Sequence, residues 1–218
     1  MHTTTQTHKF IIMISVIVTL HNQESSIISA LQSVVAQTAQ QWECVVIDNA
    51  STDASEFQVR SYLIDRRMRY CRLEQQVSIT EARRIALAHT TGEWVVFLDG
   101  ADYLESNALQ ALYLAVKKYG TLCGAANYAV MRKGEPHPHN YLHGQKLTAA
   151  QVVSGEIGVV TGNSIFHRSI AGKPEAWRQQ DFAYTEHLIL ISGEASEPLI
   201  QVEKKVGWKE KLLRLFKK

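Results

Sequence analysis

Short apolar runs that alternate with stretches of helical periodicity constrain the fold of this chain more than any other feature. Ile11–Leu20, Cys44–Asp48 and Trp94–Leu98 are continuous apolar runs of strand length, and Met68–Leu73 is a further predicted strand. A strand with one solvated face alternates apolar and polar residues, whereas a strand buried on both faces reads as a continuous apolar run. These runs therefore predict a mainly parallel sheet that is covered on both sides.

Helical periodicity fills the segments between the predicted strands. Ile27, Leu31 and Val34 recur at spacings of three and four residues, which predicts a helix over residues 27–35. The further predicted helices are Phe57–Ile64, Ile79–His89 and Leu104–Lys118. Gly120 is expected to end the last of them. Strands and helices that alternate in this way indicate an α/β domain, and 218 residues suit a single one.

The chain becomes less regular after residue 130. Lys133–Asn140 is rich in proline and glycine and is predicted to be a loop. The segments Val159–His167 and Phe182–Ile191 fit either a strand or a helix. We therefore divide the sequence into a regular part over residues 10–130, a less regular part over 131–203 of the same domain, and a tail over 204–218.

The charge distribution argues against a nucleic-acid partner. The chain has 23 basic and 21 acidic residues, but seven of the basic residues and one of the acidic residues lie from Lys204 onward. The remainder has sixteen basic and twenty acidic residues and is mildly acidic, whereas nucleic-acid binders carry basic patches on the folded domain. The basic character belongs to the tail.

The tail has the pattern of an amphipathic helix. Trp208, Leu212, Leu215 and Phe216 share one helical face, and cations fill the other. Such a helix can lie on an anionic membrane surface, which is one interpretation. The other interpretation is a terminal helix that packs on the domain.

Cysteine usage favours a reducing compartment. Cys44, Cys71 and Cys123 are odd in number and lack metal-ligand spacing, which argues against a disulfide framework. The run Phe10–Leu20 lacks a clear basic segment before it and a small-residue cleavage site after it, so we interpret it as a buried strand rather than a signal peptide. The predicted location is the cytoplasm, with the tail able to reach the inner face of the membrane.

Polar clusters follow three of the predicted strands. They are Thr19–Asn22, Asp48–Asp53 and Asp99–Asp102. In an open parallel sheet, ligands bind beyond the carboxyl ends of the strands, which would bring the three clusters together. Each cluster alone is a weak signal, and the clusters at Asp48–Asp53 and Asp99–Asp102 are also explained as a turn or a helix cap.

At these residues the chain resembles the family-2 glycosyltransferases of the GT-A fold, a Rossmann-like α/β fold. Five segments resemble the motifs of that family in order and spacing. They are Ser15–Asn22, Ser33–Thr38, Val45–Asp53, Ala82–Arg84 and Thr91–Asp99. The resemblance implies transfer of a sugar from a nucleoside-diphosphate donor to an acceptor hydroxyl. Residues 10–130 would then bind the nucleotide sugar, and residues 131–203 the acceptor.

The resemblance also assigns residues to the donor site. Thr19 and His21 would line the nucleobase, with His21 where an aromatic ring usually stacks. Asp48 and Asn49 would hydrogen-bond the base, uracil by this resemblance, and Arg83 would close over the nucleotide.

An acidic motif follows the fourth predicted strand. By the resemblance, Asp99 would contact the donor, and Asp99 with Asp102 would hold Mg²⁺ or Mn²⁺, which neutralises the charge of the leaving diphosphate. Asp181 would act as the general base of an inverting transfer to a saccharide or a lipid-linked acceptor, in polysaccharide or glycoconjugate synthesis.

Three positions depart from the family pattern. Ala101 stands where a metal-linked carboxylate is usual, Asn49 replaces an aspartate, and Gln180 precedes Asp181 where a glutamate is common. A catalytically impaired member that binds nucleotide sugars or a partner protein is therefore the alternative function. A nucleotidyltransferase of similar topology would need a glycine-rich loop after the first strand, and Leu20–Glu24 contains no glycine.

Two further segments admit more than one interpretation. His137, His139 and His143 could hold zinc, although no carboxylate or cysteine completes the set, and an exposed loop near the acceptor is the other interpretation. The segment Gly162–Arg168 resembles the family's acceptor region, but a plain turn and strand explains it as well.

Overall fold

The computed structural model describes residues 13–132, 135–138, 143–154, 161–177, 179–180 and 182–192. Its first part alternates strands and helices, as the sequence predicts. The strands are β1 (Ile14–Leu20), β2 (Trp42–Asp48), β3 (Met68–Arg72) and β4 (Trp94–Asp99). The helices are α1 (Ile27–Val35), α2 (Ser55–Arg60), α3 (Ile79–Ala88) and α4 (Ala108–Tyr119). The predicted helix over Phe57–Ile64 is in fact α2 followed by a 3₁₀ turn, Ser61–Ile64.

Parallel pairing orders these four strands as β3-β2-β1-β4. The central strand β1 aligns Leu20 with Asp48 of β2 and Thr19 with Asp99 of β4. The three strands therefore end at the same level. The polar residues that follow them meet at one edge of the sheet.

Alternate side chains of these strands enter two separate cores. Val16 and Val18 of β1 pack with α1, α2 and α4 on one face of the sheet. Ile17 of β1 packs with α3 on the other face, together with Phe97 of β4. Both sets are almost fully buried, which explains why the strands read as continuous apolar runs.

The α4 helix ends as the sequence predicts. Gly120 caps it in the left-handed conformation, with φ 63°, which glycine adopts without a steric penalty.

None of the helices in the described residues is both long enough and apolar enough to cross a membrane.

The second part of the chain completes a mixed sheet. Its strands are β5 (Cys123–Arg132), β6 (Glu135–Pro138), β7 (Gln145–Leu147), β8 (Ser164–His167) and β9 (Phe182–Ser192). Its helices are the short segments α5 (Ala149–Val153), α6 (Arg168–Ala171) and α7 (Pro174–Trp177). Strand β8 pairs antiparallel with both β4 and β5, and β9 pairs parallel with β5. These pairings decide that the two ambiguous segments contain strands.

The prediction of a loop over Lys133–Asn140 was wrong for Glu135–Pro138, which pairs antiparallel with β5 as strand β6. This strand lies off the main path of the sheet. Proline has no backbone N–H to donate to a neighbouring strand. It is tolerated on an edge strand because one side of such a strand has no neighbour that needs a donor.

Aromatic residues join the two parts of the chain in one core. Phe166 of β8 stacks on Trp177 of α7, with ring centroids 4.3 Å apart, and Phe97 of β4 contacts both rings. Strand β5 also runs through the boundary between residues 130 and 131. The fold is therefore a single α/β domain, while the division into a donor half and an acceptor half stays a prediction.

A buried carboxylate organises the edge opposite the polar clusters. Glu43 of β2 accepts hydrogen bonds from the hydroxyl of Ser15 at 2.8 Å and from the backbone N–H of Gly92 at 3.0 Å, and further bonds from Thr91. Gly92 is required there because a Cβ at this position would lie 2.5 Å from Ser15 Oγ and 2.7 Å from a backbone oxygen.

Hydrogen bonds hold Glu43 in its ionised form. Burial alone would raise the pKa of Glu43, but bonds from Thr91, Ser15 and Gly92 outweigh this effect and hold the pKa below its usual value of 4.5. A carboxylate with a depressed pKa contributes stability at higher pH. It loses that contribution as the pH falls through the folded-state pKa.

We predict that Glu43→Gln lowers the free energy of unfolding at pH 7 by about 1–3 kcal/mol, because the new amide group faces N–H donors. The loss of stability between about pH 5 and pH 3 should also become shallower. Urea unfolding across this pH range measures both effects.

The exposed Glu74 provides a matched control. Glu74→Gln should change the free energy of unfolding by less than about 0.5 kcal/mol. Equal effects of the two substitutions would contradict the role assigned to Glu43.

Candidate nucleotide-binding site

A cleft of about 480 Å³ opens at the carboxyl ends of β1, β2 and β4. Its floor is formed by the ends of these strands, including Thr19, Asn49 and Asp99. One wall contains His21 and Gln23, and the other is the segment Gln76–Thr80, which leads into α3. The polar clusters predicted to meet therefore surround one cavity.

The structure places the predicted site residues at different depths. Thr19, His21, Asn49 and Asp99 line the cleft. The remaining described candidates are Asp48, Arg83 and Asp102, and they lie outside its lining. The predicted general base Asp181 lies outside the described residues, as does the tail over 204–218.

A hydrogen bond fixes the ring of His21. The bond joins Nδ1 of His21 to the backbone oxygen of Asn49 over 2.9 Å. Because a carbonyl oxygen only accepts, Nδ1 carries the proton. The imidazole is thereby fixed between the ends of β1 and β2, at the rim of the cleft.

The side chain of Asn49 fixes the opposite wall. Its Oδ1 accepts from the backbone N–H of Val77 at 2.9 Å, and its Nδ2 donates to the backbone oxygen of Val77 at 2.8 Å. An aspartate at this position would lack the donor for the Val77 oxygen. The departure from the family pattern therefore has a structural use, since the asparagine amide satisfies both backbone groups of Val77.

Asp48 serves the structure beneath the cleft. It is fully buried, and its carboxylate accepts from Tyr70 Oη at 2.6 Å, from Arg72 at 3.1 Å and from the Ser51 N–H at 2.8 Å. Burial and the hydrogen bond to Asp48 raise the pKa of Tyr70. Both carboxylate oxygens of Asp48 are thus used within the protein, so the structure does not bring this residue to the cleft.

The loop after β1 is joined to the loop after β2. Residues 22–24 exchange hydrogen bonds with residues 51–55 through both backbone and side-chain groups. The bonds run from Asn22 N to Ser51 Oγ, Thr52 N to Asn22 Oδ1, Gln23 N to Ser55 Oγ, Glu24 N to Asp53 Oδ2 and Ala54 N to Glu24 Oε2. The Ser-Thr-Asp sequence at positions 51–53 is therefore explained by this loop pairing.

Two residues of the paired loops adopt left-handed backbone conformations. Asn22 has φ 51° and Ala50 has φ 60°. Asparagine tolerates this region, but an alanine Cβ there crowds the following carbonyl oxygen. Ala50 is therefore a strained position within the turn that carries Asn49.

We predict that Ala50→Gly stabilises the protein by about 0.5–1 kcal/mol, because glycine removes the left-handed strain at a smaller entropic cost. Ala88 provides the control, since it is exposed and lies in the last turn of α3. Ala88→Gly should destabilise by up to about 1 kcal/mol. Thermal unfolding compares the two, and a loss of stability in both variants would contradict the strain.

The acidic motif presents one carboxylate to the cleft. Oδ1 of Asp99 accepts from Gln23 Nε2 at 2.6 Å and from the backbone N–H of Ala101 at 3.0 Å. Asp102 is 2% exposed and does not line the cleft. The described residues contain no group of three potential metal ligands.

Arg83 lies on α3, next to the cleft-lining Ala82. Its guanidinium carbon lies 5.6 Å from the ring centroid of Phe97, a geometry typical of a cation–π contact. The predicted closure of Arg83 over a nucleotide stays a prediction.

Of the three histidines considered as zinc ligands, His139 lies outside the described residues and His143 is exposed.

Sequence reasoning missed Gln23 and the segment Gln76–Thr80 as lining residues. No periodic or polar pattern marks residues 76–78. Ser78 could have been identified, because a serine three residues before Glu81 is a helix-start signal, and its hydroxyl does cap the Glu81 N–H.

The fold class follows from the order of the strands and from the helices that cover both faces of the sheet. A parallel sheet with helices on both faces, continued by an antiparallel strand beside β4, is the GT-A glycosyltransferase fold. The crystal structure of the S. aureus TarS fragment 1–349 in complex with UDP-GlcNAc superposes with a TM-score of 0.71. The match covers 85% of this chain and 60% of that chain at 18% identity, which supports the fold alone.

The family is established by sequence. The family model for glycosyl transferase family 2 matches residues 15–173, and the chain belongs to this family. Glycosyltransferase GlyA of Streptococcus pneumoniae is 29% identical over 56% of this chain and 18% of its own length. The UDP-Glc:alpha-D-GlcNAc-diphosphoundecaprenol beta-1,3-glucosyltransferase WfgD of Escherichia coli is 29% identical over 55% of this chain and 47% of its own. The chain thus spans less than half the length of these two relatives.

Proposed function

We propose that the chain transfers a sugar from a uridine diphosphate donor to an acceptor hydroxyl with inversion at the anomeric carbon. The observation that carries this proposal is the cleft itself, which places His21, Asn49 and Asp99 together at the carboxyl ends of three parallel strands. Ligands bind at this edge of open α/β sheets. The relative WfgD is named for a UDP-sugar donor, which agrees with this donor class.

The base would lie against His21. The imidazole is fixed by its bond to Asn49, so little side-chain entropy remains to be lost when a base stacks on it. Thr19 and the segment Gln76–Thr80 would complete the base pocket. Asn49 would keep both walls in place through its bonds to His21 and Val77.

The diphosphate would lie near the amino end of α3. Ser78, Ile79 and Thr80 line the cleft at the first turn of this ten-residue helix. Backbone N–H groups at a helix start carry partial positive charge and favour anions. This position also leaves room for Asp99 to contact the donor.

A divalent cation fits this site only when the substrate supplies part of its coordination. Asp99 offers one oxygen that no described residue bonds, Ala101 offers none, and Asp102 is buried. Mg²⁺ sites often combine one or two protein carboxylates with substrate phosphates and water. We propose that Asp99 holds Mg²⁺ or Mn²⁺ in this way. The bound cation would neutralise charge on the departing diphosphate.

The chemical step follows from the family resemblance. The acceptor oxygen forms a bond to the anomeric carbon while the bond from that carbon to the diphosphate oxygen breaks. Asp181 would take the hydroxyl proton, and the nucleoside diphosphate would leave with the bonding electrons.

A polysaccharide or lipid-linked acceptor agrees with the diphosphoundecaprenol in the name of WfgD. We propose a cytoplasmic location, with the tail at the inner face of the membrane.

We predict that His21→Ala weakens the binding of UDP about tenfold, because stacking of a base on an aromatic ring contributes about 1–3 kcal/mol. Titration calorimetry measures the affinity. The control is His89→Ala, an exposed residue at the other end of α3 that should leave affinity unchanged. An unchanged affinity in the His21 variant would contradict the placement of the base.

The alternative is a protein that binds nucleotide sugars without transferring them. The departures from the family pattern at Ala101 and Gln180 motivate this alternative, whereas Asn49 has the structural use described above. Release of UDP from UDP-sugars in the presence of an acceptor pool distinguishes the two functions, since a binder would retain affinity for UDP and show no turnover.

We predict that the free protein binds Mn²⁺ negligibly and that donor binding weakens when a chelator is added. Ala101→Asp should tighten Mn²⁺ binding about tenfold, because it supplies the missing carboxylate. Ala36→Asp, at an exposed position after α1, is the matched control and should not bind the ion. A metal-assisted mechanism would be contradicted if the chelator leaves donor affinity unchanged and Ala101→Asp does not raise the affinity for Mn²⁺.

A further inference from the structure

The backbone of Gln23 is fixed on both sides. Its N–H donates to Ser55 Oγ at 2.9 Å, and its carbonyl oxygen accepts from the N–H groups of Ser26 at 3.1 Å and Ile27 at 3.0 Å. The residue is therefore anchored to the loop pairing and to the start of α1. Its side chain leaves this anchor toward the cleft, which it lines.

The Gln23 side chain is directed at Asp99. Nε2 donates to Oδ1 of Asp99 over 2.6 Å, a short bond between two residues 76 positions apart in sequence. The Oε1 of Gln23 is buried and accepts no hydrogen bond from the described residues. Reversing the amide would place this oxygen against the carboxylate, so the bond to Asp99 sets the orientation of the amide.

Close packing under Gly100 keeps the two side chains together. A Cβ at Gly100 would lie 2.5 Å from Gln23 Oε1 and 3.2 Å from the backbone oxygen of Thr19. A larger residue at position 100 would therefore displace the Gln23 amide from this arrangement. The glycine that follows Asp99 and the glutamine that follows the first strand are therefore parts of one packing arrangement.

The contact determines which oxygen of Asp99 stays available. Oδ1 is occupied by Gln23 and by the Ala101 N–H, while no described residue donates to Oδ2. Two donors on one oxygen restrict rotation of the carboxylate and leave the second oxygen as an acceptor for a ligand hydroxyl or cation. The N–H group of Gln23 also stabilises the negative charge of the Asp99 carboxylate.

We propose that Gln23 is a positioning residue for the donor, acting through Asp99. It fixes the carboxylate by a charge-assisted hydrogen bond, so that Oδ2 meets the nucleotide in one orientation. The inference rests on the proposed donor site, because Asp99 must contact the nucleotide for its orientation to affect binding.

A double-mutant cycle tests this role, with UDP as the probe and calorimetry as the measurement. Gln23→Met keeps the side-chain length but removes the donor, and it should raise the Kd for UDP about tenfold. In an Asp99→Ala background the same substitution should change the Kd less than about twofold, because the partner is already absent. Gln23→Lys retains an N–H donor and should return the Kd to within about threefold of the original.

The control substitution is Gln40→Met. Gln40 is exposed before β2, at the opposite edge of the sheet, and its amide donates to the Thr38 oxygen at 3.1 Å. It should leave the affinity for UDP unchanged. Gly100→Ala perturbs the contact from the other side and should also raise the Kd in the original protein.

The outcomes separate this inference from the proposed function. If the original protein binds UDP and Gln23→Met raises the Kd equally in both backgrounds, Gln23 acts by supporting the loop and the inference is wrong. It is also wrong if Gln23→Met has no effect on the Kd. If the original protein does not bind UDP, the donor site itself is wrong and the inference fails with it.

Discussion

The parallel pairing of β1 with β2 on one side and β4 on the other is the constraint on which the site depends. This register aligns Leu20 with Asp48 and Thr19 with Asp99, so that three strand ends and the loops after them lie at one level. Backbone hydrogen bonds maintain the alignment, and two buried cores make a slip costly, because a shift of one residue would turn every side chain to the opposite face.

Polar residues at the strand ends divide into those that build the edge and those that face the cleft. Asp48 holds Tyr70, Arg72 and the turn at Ser51 from below, and the paired loops at 22–24 and 51–55 fix the rim. His21, Asn49 and Asp99 then face the cavity from a rigid support. A site held in this way needs little reordering when a ligand binds, and less conformational entropy is lost. The strained backbone of Ala50 lies within this support, which is typical of turns beside binding sites.

The secondary structure of residues 13–120 could be predicted closely because local patterns and tertiary packing agree there. The predicted helix over 27–35 coincides with α1, and Trp94–Leu98 lies within β4. Agreement was lower after residue 130, where β6 contains prolines and the pairing of β8 and β9 depends on distant strands. The candidate site shows the same division. Thr19, His21, Asn49 and Asp99 were predicted to share an edge and do so, while Asp48 was expected at the ligand and is buried beneath it.

The sequence by itself determined the alternation of buried strands and helices, the strand ends that carry polar groups, and the family to which the motifs belong. These properties are local, since each depends on residue types within one short segment. Only the tertiary structure decided which polar group faces the cleft, that the Asn49 amide joins the Val77 backbone, and that Gln23 bonds to Asp99. These contacts join residues from 28 to 76 positions apart. Their geometry depends on how the sheet register and the glycine at position 100 bring separate loops together, which no local pattern records.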